Sequence, residues 1–196
     1  MTKKEFTITI YTENQVGLLN RIAIIFSRRK TNIESMNISP TEVSSMTRFT
    51  IVVNESEDVI IKLCRQIEKQ VEVFKSYYHN EHEIVWQELA LYKVPTDIIA
   101  TQIKVERLLR ENGANTVVIR KDYTVFAVTG CRAETEALFK VLKPYGLIEF
   151  VRSGRVAILK GSNEFYDRVK EFHQNIHECS QTKHNYIEEK EKVCSH

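Results

Sequence analysis

Apolar and polar residues alternate from the start of the chain. Phe6, Ile8 and Ile10 interleave with Thr7, Thr9 and Tyr11, the period-two pattern of a half-buried strand rich in β-formers. The period then lengthens: Leu18, Leu19, Ile22, Ile25 and Phe26 recur at three-four spacing, which predicts a helix over 18–29 with one face against a sheet. Arg28, Arg29 and Lys30 close it, where cations suit the carbonyl end of the helix dipole. Residues 33–39 form a weaker strand of mixed polarity that Pro40 ends, and such a weakly buried strand with a free edge suits subunit pairing. Alternation returns at Phe49, Ile51 and Val53. Asn54-Glu55-Ser56 then opens a second helix carrying Val59, Ile60, Leu63, Cys64, Ile67 and Val71, and 73–78 is a last strand. The order is βαββαβ, the ferredoxin-like split unit.

A similar order follows. Residues 84–93 read as a strand, and Thr96 or Asp97 caps a helix through 110 with Ile99, Ile103 and Leu108 or Leu109 facing inward. Glu111-Asn112-Gly113 is a helix stop with Gly113 in the left-handed position. Strands over 116–119 and 124–128 flank Arg120-Lys121-Asp122-Tyr123 as a hairpin. A helix over 133–142 and strands over 148–151 and 156–159 complete the set. The expected class is α+β, two tandem ferredoxin-like sandwiches with a C-terminal helical extension. The expected boundaries are 1–79, a polar linker at 80–83, a second domain over 84–162, an amphipathic helix over 163–180 and a disordered tail over 181–196. In that helix Phe165, Val169, Phe172 and Ile176 recur at four-three-four spacing, and this apolar face must cover either the second domain's sheet or a partner. The tail is charged, with Tyr186, Ile187 and Val193 its only large apolar residues.

Composition narrows the classes. Formal charge is +2, from 28 basic and 26 acidic residues, which gives no field aimed at nucleic acid or membrane. The first residues alternate without an apolar run of signal or spanning length, so a cytoplasmic location is expected. Cys64, Cys131, Cys179 and Cys194 form no C-x-x-C pair and read as reduced thiols. His173 and His177, with Glu178 and Cys179 nearby, have spacing open to a metal, yet the ordinary reading is a solvated helix face; His79 and His82 carry less signal still. No nucleophile motif or phosphate-cradling glycine loop occurs among only 6 glycines, so no catalytic residues and no metal site are expected. RNA-recognition domains share the βαββαβ order, but Ser45-Met46-Thr47-Arg48-Phe49-Thr50-Ile51-Val52 lacks their stacking aromatics and glycine.

One turn stands out as a candidate site. Glu13-Asn14-Gln15-Val16-Gly17 leads from the first strand into the first helix, where free N–H groups and the dipole favour an anion and Gly17 permits close approach. Gly and Asn are also ordinary turn residues, which is the bland alternative. Asn14 precedes the helix and Asn32 follows it, too far apart to meet within one chain but able to meet across a two-fold interface. Amide side chains serve both ends of an α-amino acid without adding charge, and Leu18 and Ile33 suit an aliphatic side chain.

Glu13-Asn14-x-x-Gly17, then Phe26-Ser27-Arg28-Arg29 and Asn32-Ile33-Glu34-Ser35, resembles the ACT domain of the small regulatory subunits of acetolactate synthase, also called acetohydroxyacid synthase. The resemblance continues through Met46-Thr47-Arg48-Phe49-Thr50-Ile51, Gln66-Ile67-Glu68-Lys69-Gln70-Val71 and Val151-Arg152-Ser153-Gly154, and covers most of residues 5–160. It implies a non-catalytic partner of a thiamine diphosphate enzyme, whose large subunit condenses pyruvate with a second 2-oxo acid on the route to valine, leucine and isoleucine. Thiamine diphosphate, Mg and FAD are expected on that large subunit and no cofactor on this chain. The resemblance further implies a homodimer through the ACT domain, activation of the large subunit, and feedback inhibition by valine or another branched-chain amino acid at the ACT dimer interface. Asn14, Gly17 and Asn32 match the family's effector positions, with Val16, Leu18 and Ile33 as neighbours. The chain departs from the family at Lys30, where a glycine is usual, at Thr31, where an aromatic or similar residue is usual, and in continuing well past Gly161. A free-standing ACT-type amino-acid sensor without a synthase partner is the rival reading.

Overall fold

Residues 2–161 are described by the structure, a computed structural model. The alternation of the first strand is realised in β1 (Lys4–Glu13), which pairs antiparallel with β3 (Met46–Glu55) so that Phe6, Ile8 and Ile10 lie opposite Val53, Ile51 and Phe49. These six side chains share one face. They meet Leu18, Ile22, Ile25 and Phe26 of α1 (Leu18–Arg28) and Ile60, Leu63, Cys64 and Ile67 of α2 (Glu57–Ile67) in one buried cluster. With β2 (Ile33–Pro40) and β4 (Val73–His79) the sheet order is β2-β3-β1-β4, all pairs antiparallel, leaving β2 and β4 as edges. Three expected core positions are absent from it, Val59 of α2 being only half-buried. Leu19 lies on the solvent side of α1, and Val71, which follows the end of α2, is exposed.

The polar linker is a structured turn. Asn80 caps a single 3-10 turn at Glu81–Glu83, and its own N–H donates to Glu83 Oε2 at 2.7 Å, a reciprocal capping box. Beyond it, β5 (Ile84–Pro95), β6 (Asn115–Ile119), β7 (Tyr123–Gly130) and β8 (Glu149–Arg152) assemble in the order β6-β7-β5-β8, repeating the strand order of the first unit. Both units are therefore βαββαβ-like and the fold is α+β. The single helix expected over 96–110 is two, α3 (Thr96–Thr101) and α4 (Ile103–Glu111). Gln102 lies between them at φ −108°, ψ 85°, its N–H closing the first helix on the Ile98 carbonyl and its own carbonyl starting the second. The β-branched Ile98, Ile99 and Thr101 are weak helix formers, consistent with a break there. The break turns Ile103, expected inside, out to solvent, while Val105 and Leu109 remain buried. Ala90, Tyr92 and Val94 meet these and Leu138 and Leu142 of α5 (Arg132–Leu142) in a second core.

The last described strand, β9 (Val156–Leu159), pairs with the first half of β5, and β8 pairs with its second half along the same edge. Ser153 bridges them, its N–H donating to the Leu89 carbonyl at 2.8 Å and its hydroxyl accepting from the Leu89 N–H at 2.9 Å. In effect β8 and β9 form one strand with a bulge at Ser153-Gly154-Arg155, and that bulge enters the first unit. Gly154 lies so close to β2 that a Cβ there would sit 2.8 Å from the Met36 carbonyl oxygen. Arg155 is 2 % exposed. Its guanidinium donates to Thr7 Oγ1 at 2.9 Å and Glu5 Oε1 at 2.6 Å, and lies 3.6 Å from the Trp86 ring centroid. The helix and tail expected over 163–180 and 181–196, with His173, His177 and Cys179, lie outside the described residues.

Two outcomes follow for stability. Arg155→Met strands the buried Thr7 hydroxyl and lowers unfolding stability by about 1–3 kcal/mol, measured by urea denaturation; a double-mutant cycle with Glu5→Gln isolates the ion pair, and a zero coupling would show that it contributes nothing. Tyr92 donates its hydroxyl to the Thr135 carbonyl at 2.7 Å, and burial pushes its ionisation up to about 12. The neutral phenol is the form the fold holds, so its contribution is complete below about pH 10 and is lost as pH rises through about 12. Among the eight tyrosines, one late-ionising group is expected at 295 nm and is absent in Tyr92→Phe; a titration identical in the variant would contradict the assignment.

Candidate functional site

The turn between β1 and α1 is held from three sides. The Glu13 N–H donates to the Glu72 carbonyl and the Asn14 N–H to the Ser45 carbonyl, each at 2.9 Å, and Gln15 Nε2 donates to Glu13 Oε2 at 2.8 Å. Ser45 itself takes a left-handed φ of 66°. Arg21, one turn into α1, pairs with Glu72, so the helix start and the turn share an anchor. The backbone N–H of Glu72 and then the Arg21 guanidinium hold the Glu72 carboxyl below the usual carboxylate range.

Gly17 enters α1 at φ 85°, ψ −7°, a conformation that glycine adopts without strain, and open space surrounds the position of a missing Cβ. No side chain caps the helix and no acidic residue lies in its first turn. The N–H groups of Leu19 and Asn20 therefore have neither an intrahelical partner nor a capping side chain. Beside them the Asn14 side chain is exposed and Val16 is fully exposed. Leu18 differs: its side chain is buried in the first core, so it offers no apolar wall to a ligand. Leu19, one position on, is the exposed leucine at this end of the helix. The spacing already held this information, because 18, 22, 25 and 26 define a stripe at whose margin residue 19 falls.

At the other end α1 stops in a complete left-handed cap. The Thr31 N–H donates to the Phe26 carbonyl at 3.1 Å and the Lys30 N–H to the Ser27 carbonyl at 3.0 Å, with Lys30 at φ 54°. Lysine thus occupies the position usually given to glycine, at a cost of about 1 kcal/mol. Asn32 follows, exposed, with Nδ2 donating to Glu34 Oε1 at 3.0 Å, which leaves its Oδ1 as a free acceptor beside a carboxylate. Glu34 lies where the register between β2 and β3 shifts, an edge bulge. Ile33 is half-buried against the core, and the buried hydroxyls of Thr31 and Ser35 on either side have no partner. Glu34 was not among the residues singled out from sequence, although its i, i+2 spacing from Asn32 puts the two on one side of an extended chain.

Asn14, Val16 and Gly17 thus gather at one end of α1 and Asn32 and Ile33 at the other, along an edge strand. The 11-residue helix between them is about 16 Å long, so one chain does not bring the two groups together. The second unit repeats only the far half. Gly113 caps α4 in the same way, with Ala114 N–H on the Leu109 carbonyl, and Asn115 opens β6, but β5 runs through Pro95 straight into α3 without a glycine turn. Elsewhere in that unit Arg152 lies between buried Glu88 at 3.2 Å and the more exposed Glu136 at 3.7 Å, which ties β8 to β5 and α5. Among the described residues no three His, Cys, Asp or Glu side chains converge as metal ligands.

Known proteins match both units. A family model described as an AHAS small subunit-like ACT domain matches residues 8–75, and one described as the small subunit of acetolactate synthase matches residues 87–161. The acetolactate synthase small subunit of Bacillus subtilis (strain 168) is 36% identical over 158 residues, covering 80% of this chain and 91% of that protein. That of Mycobacterium bovis is 33% identical over 161 residues, 82% of this chain and 95% of the other. The crystal structure of the small subunit from Thermotoga maritima superposes with a TM-score of 0.74 at 25% identity, covering 81% of this chain and 99% of that one. Both ends of α1 and the repeated sheet order lie within the residues that the two family models match, and the chain belongs to the family of acetolactate synthase small subunits, non-catalytic regulatory subunits that carry an ACT domain.

Proposed function

We propose that this chain activates the thiamine diphosphate-dependent large subunit of acetolactate synthase and makes it sensitive to valine or another branched-chain amino acid bound between two ACT domains. The observation that carries the reading is the division of the site between opposite ends of α1. The N-terminal group offers donors, the Leu19 and Asn20 N–H groups and the Asn14 amide, which suit a carboxylate. The far group offers acceptors, Asn32 Oδ1 and the Glu34 carboxylate, which suit an ammonium. A zwitterionic amino acid needs both, so the site is complete only when the Asn14 end of one chain meets the Asn32 end of another. Edge strand β2 begins one residue after Asn32 and supplies the surface for that pairing, in a homodimer of tandem ferredoxin-like sandwiches. Val16, Leu19 and Ile33 offer apolar contact to an aliphatic side chain. Regulation then rests on a difference in effector affinity between two subunit arrangements. Thiamine diphosphate, Mg and FAD reside on the large subunit, and this chain contributes no reacting group.

Mixing the purified chain with its large subunit is expected to raise the rate of pyruvate condensation, and titrating valine, leucine and isoleucine into the mixture to lower it again. Binding of an amino acid with no change in the synthase rate would leave the free-standing sensor. Asn14→Ala and Asn32→Ala should each weaken effector binding by about 1–3 kcal/mol, read by calorimetry, with activation kept and feedback lost. Unchanged affinity in both would remove these residues from the site. Gly17→Asp, which sets a carboxylate at the anion position and strains a left-handed residue, should abolish feedback more completely than either.

A further inference from the structure

The covalent link between the two units runs from β4 through the turn at Glu81–Glu83 into β5, and β4 is the edge of the first sheet opposite β2. β2 is reached instead by the bulge Ser153-Gly154-Arg155. A Cβ on Gly154 would lie 2.8 Å from the Met36 carbonyl oxygen and 3.3 Å from Asn37 Cβ, so the backbone of the second unit rests directly on the backbone of this strand. With no side chain between the two, a shift of β2 cannot be absorbed by a change of rotamer, and close-packed groups pass such a shift on.

Arg155 carries the contact inward. Thr7 of β1 and Ser35 of β2 both lie opposite Val52 of β3, so these three side chains share the face of the sheet turned away from α1 and α2. The Arg155 guanidinium donates to Thr7 and Glu5 of the first unit and lies against the ring of Trp86, which opposes Ala157 in the pairing of β5 with β9. Two polar groups on the same face, Arg155 Nε and the Ser35 hydroxyl, are buried without a protein partner. Unpaired buried groups cost free energy, and a second arrangement of the strand can recover what this one leaves unused. β2 is also irregularly laddered there, since its register with β3 slips between Ile33 and Ser35, directly after Asn32.

We infer that Gly154 and Arg155 are positioning residues for regulation: an effector held at Asn32 fixes the placement of β2, and the bulge passes that placement to β5 and β9 of the second unit. The inference rests on the effector reading above and adds the route by which that site reaches the second unit. Both residues act through β1 and β2 and are not ligand contacts.

Hydrogen exchange of the full chain with and without saturating valine tests the route, together with valine inhibition of the reconstituted synthase. In the parent, valine should slow amide exchange several-fold over 31–38 and also over 153–159. In Arg155→Met, and more weakly in Glu5→Gln, whose side chain is 38% exposed, protection over 31–38 should remain while that over 153–159 is lost. The synthase should then stay activated yet keep most of its rate at saturating valine. Glu106→Gln, in an exposed pair on α4, should behave as the parent. Protection confined to 31–38 in the parent, or inhibition of both bulge variants as in the parent, would overturn the route and leave the effector site standing. Joint loss of valine binding and inhibition in both variants would assign Arg155 to stability alone and overturn it as well. No protection of the parent by valine, leucine or isoleucine would overturn the effector reading and this one together.

Discussion

β5 is the spine on which the rest of the molecule depends. Its second half, Glu88 to Pro95, pairs with β7 on one edge, while β8 and β9 together follow its other edge for almost its whole length. Antiparallel pairing over twelve residues cannot stay regular if the partner must also reach another unit. The ladder therefore breaks at Ser153-Gly154-Arg155 and the freed residues go into the first unit. Gly154 is needed because the Met36 carbonyl leaves no room for a Cβ, and Arg155 is tolerated at 2 % exposure because Glu5, Thr7 and the Trp86 ring receive its guanidinium. Removing so large a cation from water is costly, and an ion pair with hydrogen bonds and a ring face offsets that cost.

This contact falls on β2, the same strand whose beginning carries Asn32. Met36 and Asn37, touched by Gly154, lie four and five positions beyond that asparagine on one short edge strand. The surface proposed for subunit pairing and the anchor of the second unit thus share a strand, and a change in how two chains pair along β2 bears directly on the bulge. The left-handed caps after α1 and α4 show the same economy of geometry. Each turns the chain from helix into an edge strand through an Asn, although only the first unit adds a glycine turn at the start of its helix.

Much of this was legible in the chain. The alternation of Phe6, Ile8 and Ile10, the stripe of Ile22, Ile25 and Phe26, the Gly113 stop and the order of strands all follow from local periodicity and cap chemistry, which a linear sequence records directly. The separation of Asn14 from Asn32 was legible too, because helix length depends only on residue count. Where local reading failed, backbone conformation or orientation decided. Gln102 takes an extended ψ that splits one expected helix, which exposes Ile103.

The sequence by itself determined the two βαββαβ orders, the family and the chemistry available at the Gly17 turn, since each depends on residues near one another in the chain. Only the tertiary structure decided that β8 and β9 share one edge of β5 and that Arg155 is buried 150 residues from Glu5. The physical reason is that burial of a charge and the site of a bulge depend on which strands become neighbours, and those pairings lie far beyond the reach of any local pattern.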